Sequence, residues 1–448
     1  LSSEHAQRVR DLMPELRSDL EALVRIPSIS VPGVIDEPLL AAFELTSKLF
    51  ADAGVNVDRV DLPDTAPLLV GEIPAPPGAP TVLLYSHYDV VPAGDESEWE
   101  TEPFEPTERN GAIHGRGAAD TKSNIVMHLG ALRAWDGRPP VGVKLCIEGY
   151  EEIGSGALLG YPQQDPERFR ADALVIGDMG SLEPGTPTLT VGLRGMGNLT
   201  LEARTLESGK HSGQYGGAAP DALIALIAAI ASLHDERGDV AVRGLRRNEW
   251  EGEQQGEEQF RALGTVLDGV PLIGSGGLGS RIWSGPAITV IGMDVPSVDD
   301  AVNAVSPYAR AVLNVRVHPE QDAAEAQAAV IEHLRSVRPF GIEIDVRPGP
   351  TGNGFAAGSD GPAYAAARAA WAAAYGTDDV LLAGSGGSIP IVSALAGALP
   401  EAEALLVGTT DGYANIHGPN ERVLLSEFEK ATVAETDFFG RYAEAFGA

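Results

Sequence analysis

Three stretches, TVLLYSHYDVV from Thr81, VGVKLCIEGYEE from Val141 and ADALVIGDMG from Ala171, are short apolar runs rich in β-branched residues. Runs of that length without polar alternation fit strands buried on both faces. Helical spacing of apolar residues marks SNIVMHLGALRAW from Ser123, and the earlier stretches Ser3–Val24 and Glu37–Ala53. Strand and helix in alternation predict an α/β domain built on a mainly parallel central sheet.

The texture changes near Thr188. LTVGLRGMGNLTLEARTL reads as paired strands, and PDALIALIAAIASLHDE as a long helix with an apolar face. RAVLNVRVHPE, DAAEAQAAVIEHLRSVR and GIEIDVRPG then repeat strand, helix, strand. This segment, 189–352, is expected to be an inserted α+β domain with a small sheet and two helices. Its Gly- and Ser-rich run LIGSGGLGSRIWSGP is expected to be a loop. The first domain, 1–188, resumes over 353–448 with the helix PAYAAARAAWAAAYG, a strand at EALLVGTT and a final helix from about Ser426.

Length supports the division, because 448 residues exceed the roughly 250–300 at which a single core stops growing. The balance of 64 acidic against 32 basic residues gives a formal charge of −32. That field repels nucleic acid and anionic membranes, so neither is an expected partner. An anionic substrate would need a local cationic pocket, which makes single arginines informative. Cys146 is the only cysteine and reads as a small core residue. The N-terminal stretch is charged throughout and lacks the apolar region of a signal peptide, and no apolar run approaches the roughly 20 residues of a membrane span. A cytoplasmic location is expected.

Each of the three apolar runs ends in side chains that can bind metal: His87 and Asp89, Glu151 and Glu152, and Asp178. In open α/β sheets, sites form beyond the carboxyl ends of the strands, so these groups can converge. GRGAADTK adds Asp120 in a Gly-rich loop entering a helix, and NIHGPNE adds His417 in a polar loop. Two imidazoles with three or four carboxylates, and no thiolate, suit a pair of borderline divalent ions such as Zn²⁺, Mn²⁺ or Co²⁺.

The ordered run HYDVVP, GRGAADTKS, EGYEEIGS, a strand ending in Asp, and IHGPNE resembles the two-metal aminoacylase and carboxypeptidase G superfamily of metallopeptidases. GKHSGQYGG and GSGGSIPI resemble its carnosinase and Cys-Gly dipeptidase branch. The resemblance implies that Asp120 bridges two ions, with His87 and Asp178 on one and Glu152 and His417 on the other. It makes Glu151 the general base, moving a proton from a water shared by the ions to the departing amine. Asp89 would accept the free N–H of His87 and fix its orientation, which its position two residues along the same strand side allows.

In such relatives a histidine matching His211 reaches the site from the partner subunit to stabilise the oxyanion, which implies a homodimer through the inserted lid. The resemblance also places a substrate-carboxylate arginine at Arg316, with Arg310 second, and puts Asn303, Gly387 and Ser388 near the substrate. Hydrolysis of an unblocked dipeptide, of the Xaa-His or Cys-Gly type, is the expected activity. An N-acyl-amino-acid amidohydrolase with the same centre, or a non-catalytic metal- or peptide-binding protein, are the alternatives. His114 and His128 match no ligand position, the Asn198-Leu199-Thr200 sequon carries no weight in a cytoplasmic protein, and EWEGEQQGEEQF reads as a solvated face.

Overall fold

A computed structural model describes residues 3–252 and 254–447. In chain order, the principal elements begin with α1 (Ser3–Val24), α2 (Glu37–Asp52), β1 (Asn56–Val60), β2 (Leu68–Ile73) and β3 (Thr81–His87). Next come α3 (Ser123–Ala134), β4 (Gly142–Glu148), β5 (Ala173–Gly177), β6 (Thr188–Leu193) and β7 (Gly195–Arg204). They continue with α4 (Ala222–Ala231), β8 (Ala287–Asp294), β9 (Tyr308–Val317), α5 (Ala323–Val337) and β10 (Asp345–Gly352). The chain closes with α6 (Pro362–Tyr375), β11 (Glu403–Val407) and α7 (Leu425–Ala445).

The chain divides into two compact units, one comprising Leu1–Val191, Ala357–Ala383 and Ile389–Ala448, the other Gly192–Ala356 and Gly384–Ser388. The first unit holds a mixed sheet in the order β1-β2-β4-β3-β5-β11-β6. Its centre is parallel: β3 pairs with β4 on one side and β5 on the other, and β5 with β11. The pairings of β1 with β2, β2 with β4 and β11 with β6 are antiparallel. All but the first residue of β3 are buried, as expected of a strand with neighbours on both edges and helices over its faces.

The core of this unit draws on α1, α3, α6 and α7 as well as the sheet. Helix α3 is buried all round rather than on one stripe, because α1 and α7 both pack on it. Gly130 makes that possible: a Cβ there would lie 2.5 Å from Thr432 Cγ2 and 2.8 Å from Leu16 Cδ1.

The second unit is built on a four-stranded antiparallel sheet, β8-β9-β7-β10, with α4 and α5 packed on it. Two sequence expectations fail in this unit. The helix read over Pro220–Glu236 spans only Ala222–Ala231, capped by Asp221 at its start. It stops where Ser232 Oγ donates to the Ala229 carbonyl and the chain turns into an isolated bridge between His234 and Val240. The run read as a loop contains a short helix, Leu278–Ile282, whose Gly279 lies against the Trp250 side chain. In the acidic run, Glu257 and Glu258 are exposed at the start of the helix Glu257–Leu263, while Glu253 lies outside the described residues.

Candidate metal centre

Parallel pairing sets the geometry. Because β3, β4 and β5 run side by side in register, their carboxyl ends lie together, and the residues just past each strand meet at one rim. His87 is the last residue of β3, Asp178 comes directly after β5, and Glu151 and Glu152 lie in a single 3₁₀ turn after β4. The sharp turn after β4 needs Gly149, since a Cβ there would fall within 2.4 Å of the Tyr88 ring, whose hydroxyl donates to the Pro67 carbonyl. Asp178 and Met179 donate their N–H groups to the Val407 carbonyl at the end of β11. Gly408 lets the chain pass there, directly under the Met179 carbonyl.

His87 Nε2 lies 3.1 Å from Asp120 Oδ1, 3.5 Å from Asp178 Oδ1 and 3.9 Å from Glu151 Oε2. His417 Nε2 lies 3.1 Å from Asp120 Oδ2 and 3.0 Å from Glu152 Oε2. Asp120 thus stands between the imidazoles, one oxygen toward each. Ligand-type atoms of His87, Glu151 and Asp178, and of His87, Asp120 and Glu152, lie within 4.8 Å of one another.

Asp89 is fully buried and does more than its sequence position implied. Strand β3 ends at His87, yet Asp89 Oδ1 still lies 3.3 Å from His87 Nδ1. The same carboxylate accepts the backbone N–H of Glu151 at 3.2 Å and of Glu152 at 3.1 Å. His87 Nδ1 also hydrogen-bonds the Asp89 backbone carbonyl at 3.1 Å, so Asp89 holds the ring through main chain and side chain while its carboxylate anchors the turn bearing two carboxylates.

The buried carboxylates and imidazoles perturb one another's protonation. Burial raises the carboxyl groups of Glu151 and Asp178, reinforced by Asp178 and Glu152 for the first and by Asp120 for the second. Burial, then the Asp120 charge, pushes Glu152 up to about 7. Burial works against ionising Asp120 too, but its bonds to His417 and His87 hold it well below the usual range. His417 rises to about 10 through its bonds to Asp120 and Glu152. His87 is raised well above its ordinary value despite burial, by Asp178, Asp120 and Asp89. Glu152 Oε1 is buried without a hydrogen-bond partner. Crowded carboxylates, an orphaned buried oxygen and two imidazoles fit a divalent cation.

Glu421, whose side chain is entirely buried, was missed by the sequence reading. It accepts from Arg116 Nη1 at 2.7 Å and from the N–H groups of Gly117 at 3.0 Å, Ala119 at 2.9 Å and Asp120 at 3.0 Å. Glu421 closes the IHGPNE run, but its role is hidden because its partners are some 300 positions away. His128 pairs at 2.7 Å with buried Glu435, and His114 Nδ1 contacts the Asn420 carbonyl, so both have other roles.

The remaining predicted residues lie on the second unit. His211 and Asn303 are exposed and adjacent: His211 pairs with Ala304, and Ser212 donates to the Asn303 carbonyl. Arg310 is exposed and engaged with Asp294 at 2.6 Å. Arg316, half-buried on β9 opposite Met196, has no ion pair among the described residues. Burial, then the Arg316 charge, lowers Arg194 to about 10. Arg194 is buried beside Gly386, and its backbone N–H donates to the Ser385 carbonyl. Gly387 is exposed, its N–H donating to Ser385 Oγ, and Ser388 is half-buried. Arg194 Nη1 donates to the Arg281 and Gly285 carbonyls, and neither Arg194 nor Arg316 has an ion pair among the described residues.

Imidazoles and carboxylates gathered at the carboxyl ends of the sheet's parallel centre make a candidate divalent-metal centre. The chain matches Peptidase family M20/M25/M40 over residues 83–440, and it belongs to that family as a metallopeptidase. It is 42% identical over 422 residues to a cysteinylglycine-S-conjugate dipeptidase of Corynebacterium striatum, covering 93% of this chain and 92% of that one. It is 27% identical over 447 residues to the β-Ala-His dipeptidase of Rattus norvegicus, covering 91% and 89%. Human carnosine dipeptidase 1 shares its fold, with a TM-score of 0.83, 24% identity and 98% of each chain covered. No helix among the described residues is long and apolar enough to cross a membrane.

Proposed function

We propose that the chain is a dipeptidase that hydrolyses the peptide bond of unblocked dipeptides, of the Cys-Gly or Xaa-His type, with two divalent ions per subunit. The observation that carries the chemistry is the placement of Asp120 between His87 and His417, flanked by Asp178 and Glu152, with Glu151 left over beside them. Its likeness to dipeptidases over nearly the whole chain supports the substrate class.

In this reading His87, Asp178 and Asp120 would hold one ion, and His417, Glu152 and Asp120 the other, with Zn²⁺, Mn²⁺ or Co²⁺ suited to the donor set. When bound, the ions supply Lewis acidity and a water acidic enough to lose its proton near neutrality. Glu151 would take a proton from the attacking water at its carboxylate and return it to the amine nitrogen, as the water oxygen bonds the carbonyl carbon and the C–N bond breaks. Asp89 keeps the His87 ring and the Glu151–Glu152 turn in place. Arg316, with Gly387 and Ser388, takes the free carboxylate of the substrate, and Arg316 is favoured over Arg310 because Arg310 is already paired with Asp294.

The same proposal assigns 189–352 as a lid through which two copies dimerise, so that His211 and Asn303 serve the partner subunit's site. Strand β8 is an edge, and Val290, Ile291 and Met293 on it are exposed, as are Ile224 and Ile227 on α4. An apolar edge strand of this kind calls for a covering partner, and a second copy satisfies it by two-fold pairing. A cytoplasmic location belongs to this reading; one buried cysteine requires no oxidising compartment.

The test is amine release from free dipeptides, including Cys-Gly and β-Ala-His, and from matched N-acyl amino acids, using metal-stripped enzyme with Zn²⁺, Mn²⁺ or Co²⁺ restored singly. Turnover of free dipeptides is expected. Turnover confined to N-acylated substrates would move the enzyme to the amidohydrolase reading. For the dimer, mixing His211→Ala with Glu151→Gln subunits should restore activity, and a verified heterodimer that stays inactive would remove His211 from the partner's site.

A further inference from the structure

We infer that Glu421 is a positioning residue that sets the His417 side of the metal centre, so that disturbing it weakens that ion position more than the one at His87, which shares only Asp120 with the disturbed segment. This rests on the two-ion reading above.

Both Glu421 oxygens are fully used. Oε1 accepts the N–H groups of Ala119 and Asp120, and Oε2 accepts Arg116 Nη1 and the N–H of Gly117. All four donors come from the segment that presents Asp120. The Glu421 carbonyl also accepts the N–H of Gly115, so the residue grips that segment through main chain and side chain alike. Four positions earlier, the same loop presents His417. Asn420 ties the loop down again, accepting from Glu100 N and donating to the Glu98 carbonyl. Glu421 is therefore the joint between the loop of one imidazole and the loop of the carboxylate it shares.

The His87 side does not depend on this joint for its other two members. His87 and Asp178 sit at the ends of β3 and β5, held by ladder pairing from Val82 with Ala173 to Tyr85 with Ile176. Asp178 is further fixed by the Val407 carbonyl. A shift of the 116–120 segment against the 415–421 loop moves both partners of the His417–Asp120 contact, but only Asp120 on the His87 side.

Substitution Glu421→Gln is close to isosteric, yet it cannot satisfy the pocket. Whichever way the amide turns, its NH₂ faces two N–H donors, so one of the two donor pairs is lost. Glu421→Asp keeps the charge and shortens the reach.

The experiment is metal titration of the metal-stripped, full-length protein by calorimetry, with bound ions counted by atomic absorption, on wild type, Glu421→Gln, Glu421→Asp, His417→Ala and Asp178→Asn. Wild type should take two ions per subunit. Glu421→Gln should lose about 10–100-fold at one position, the usual penalty for a group that orients a ligand, and clearly less at the other. His417→Ala should weaken that same position, and adding Glu421→Gln to it should cost little more. Asp178→Asn should weaken the opposite position, which identifies the two binding steps. Glu421→Asp should fold and show a smaller loss at the same position as the glutamine variant, which keeps the test open if the latter does not fold. Two ions bound with wild-type affinity in the Glu421 variants, or equal weakening of both positions, would overturn the inference while leaving the two-ion reading intact. A wild type that takes one ion overturns the two-ion reading itself, and the inference with it.

Discussion

Replacing Asp89 by Asn changes one atom in the middle of three interactions. In its better orientation the amide keeps Oδ1 toward His87 Nδ1 and the Glu151 N–H, and points its NH₂ at the Glu152 N–H, which the carboxylate accepted at 3.1 Å. The other orientation sacrifices two contacts instead of one. A hydrogen bond to a charged group contributes about 1.5–3 kcal/mol, and Asp89 is fully buried, so water does not replace what is lost. If that loss falls on the metal-holding arrangement, affinity drops roughly 10–100-fold at about 1.4 kcal/mol per tenfold. If it falls on the ion-free fold, the melting temperature drops by roughly 3–12 °C for a domain of this size. Chelator competition with Zn²⁺ or Mn²⁺ measures the first, and thermal melting of the metal-stripped protein the second. An Asp89→Asn enzyme unchanged in both would refute the claim that this carboxylate holds the ring and the turn together.

Glu151→Gln should retain its metal, read by atomic absorption, and lose about 10²–10⁴-fold in turnover, the span expected of a general base. Gly130→Ala forces a methyl against Thr432 and Leu16 at the α1, α3 and α7 junction, and should destabilise by about 1–3 kcal/mol in denaturant melts while the folded fraction keeps its activity. Thr432→Ser, by removing the Cγ2 it meets, should recover part of that loss. In the metal-stripped enzyme His417 is raised from 6.5 to about 10 by Asp120 and Glu152, so its protonation stabilises the fold fully below pH 6.5, and this contribution disappears as pH rises through about 10. Metal must expel that proton, so affinity should climb across the same window with proton release visible by calorimetry in buffers of different ionisation enthalpy; pH-independent binding would contradict it.

What could be read in the sequence was whatever is written locally. The unbroken apolar runs ending at His87, Glu148 and Gly177 announce buried parallel strands, and parallel strands by themselves bring their carboxyl ends together. Helices such as Ser3–Val24 and Pro362–Tyr375 are predicted in the same way, by apolar spacing and an Ala-rich run. Opaque features depend on partners far along the chain. Glu421 finds Arg116 across 305 positions, and Gly149 is small because of the Tyr88 ring, neither of which leaves a mark in neighbouring residues. The helix from Ala222 was overestimated for a related reason: apolar periodicity runs on to Leu233, but Ser232 and the turn after it end the hydrogen bonding at Ala231.

The pairing of β5 with β11 joins residues 173–177 to residues 403–407 across the whole of the second unit. During synthesis the ribosome must therefore deliver more than two hundred residues, roughly ten to forty seconds of translation, before β5 acquires its second neighbour. Throughout that interval an apolar edge, Ala-Leu-Val-Ile-Gly, stands open beside the nascent His87 and Asp178, with His417 still unmade. An aggregation-prone edge and half a metal centre thus coexist on the growing chain, and both are resolved by the same late segment. The segment 403–417 therefore closes the open edge and completes the set of imidazoles together.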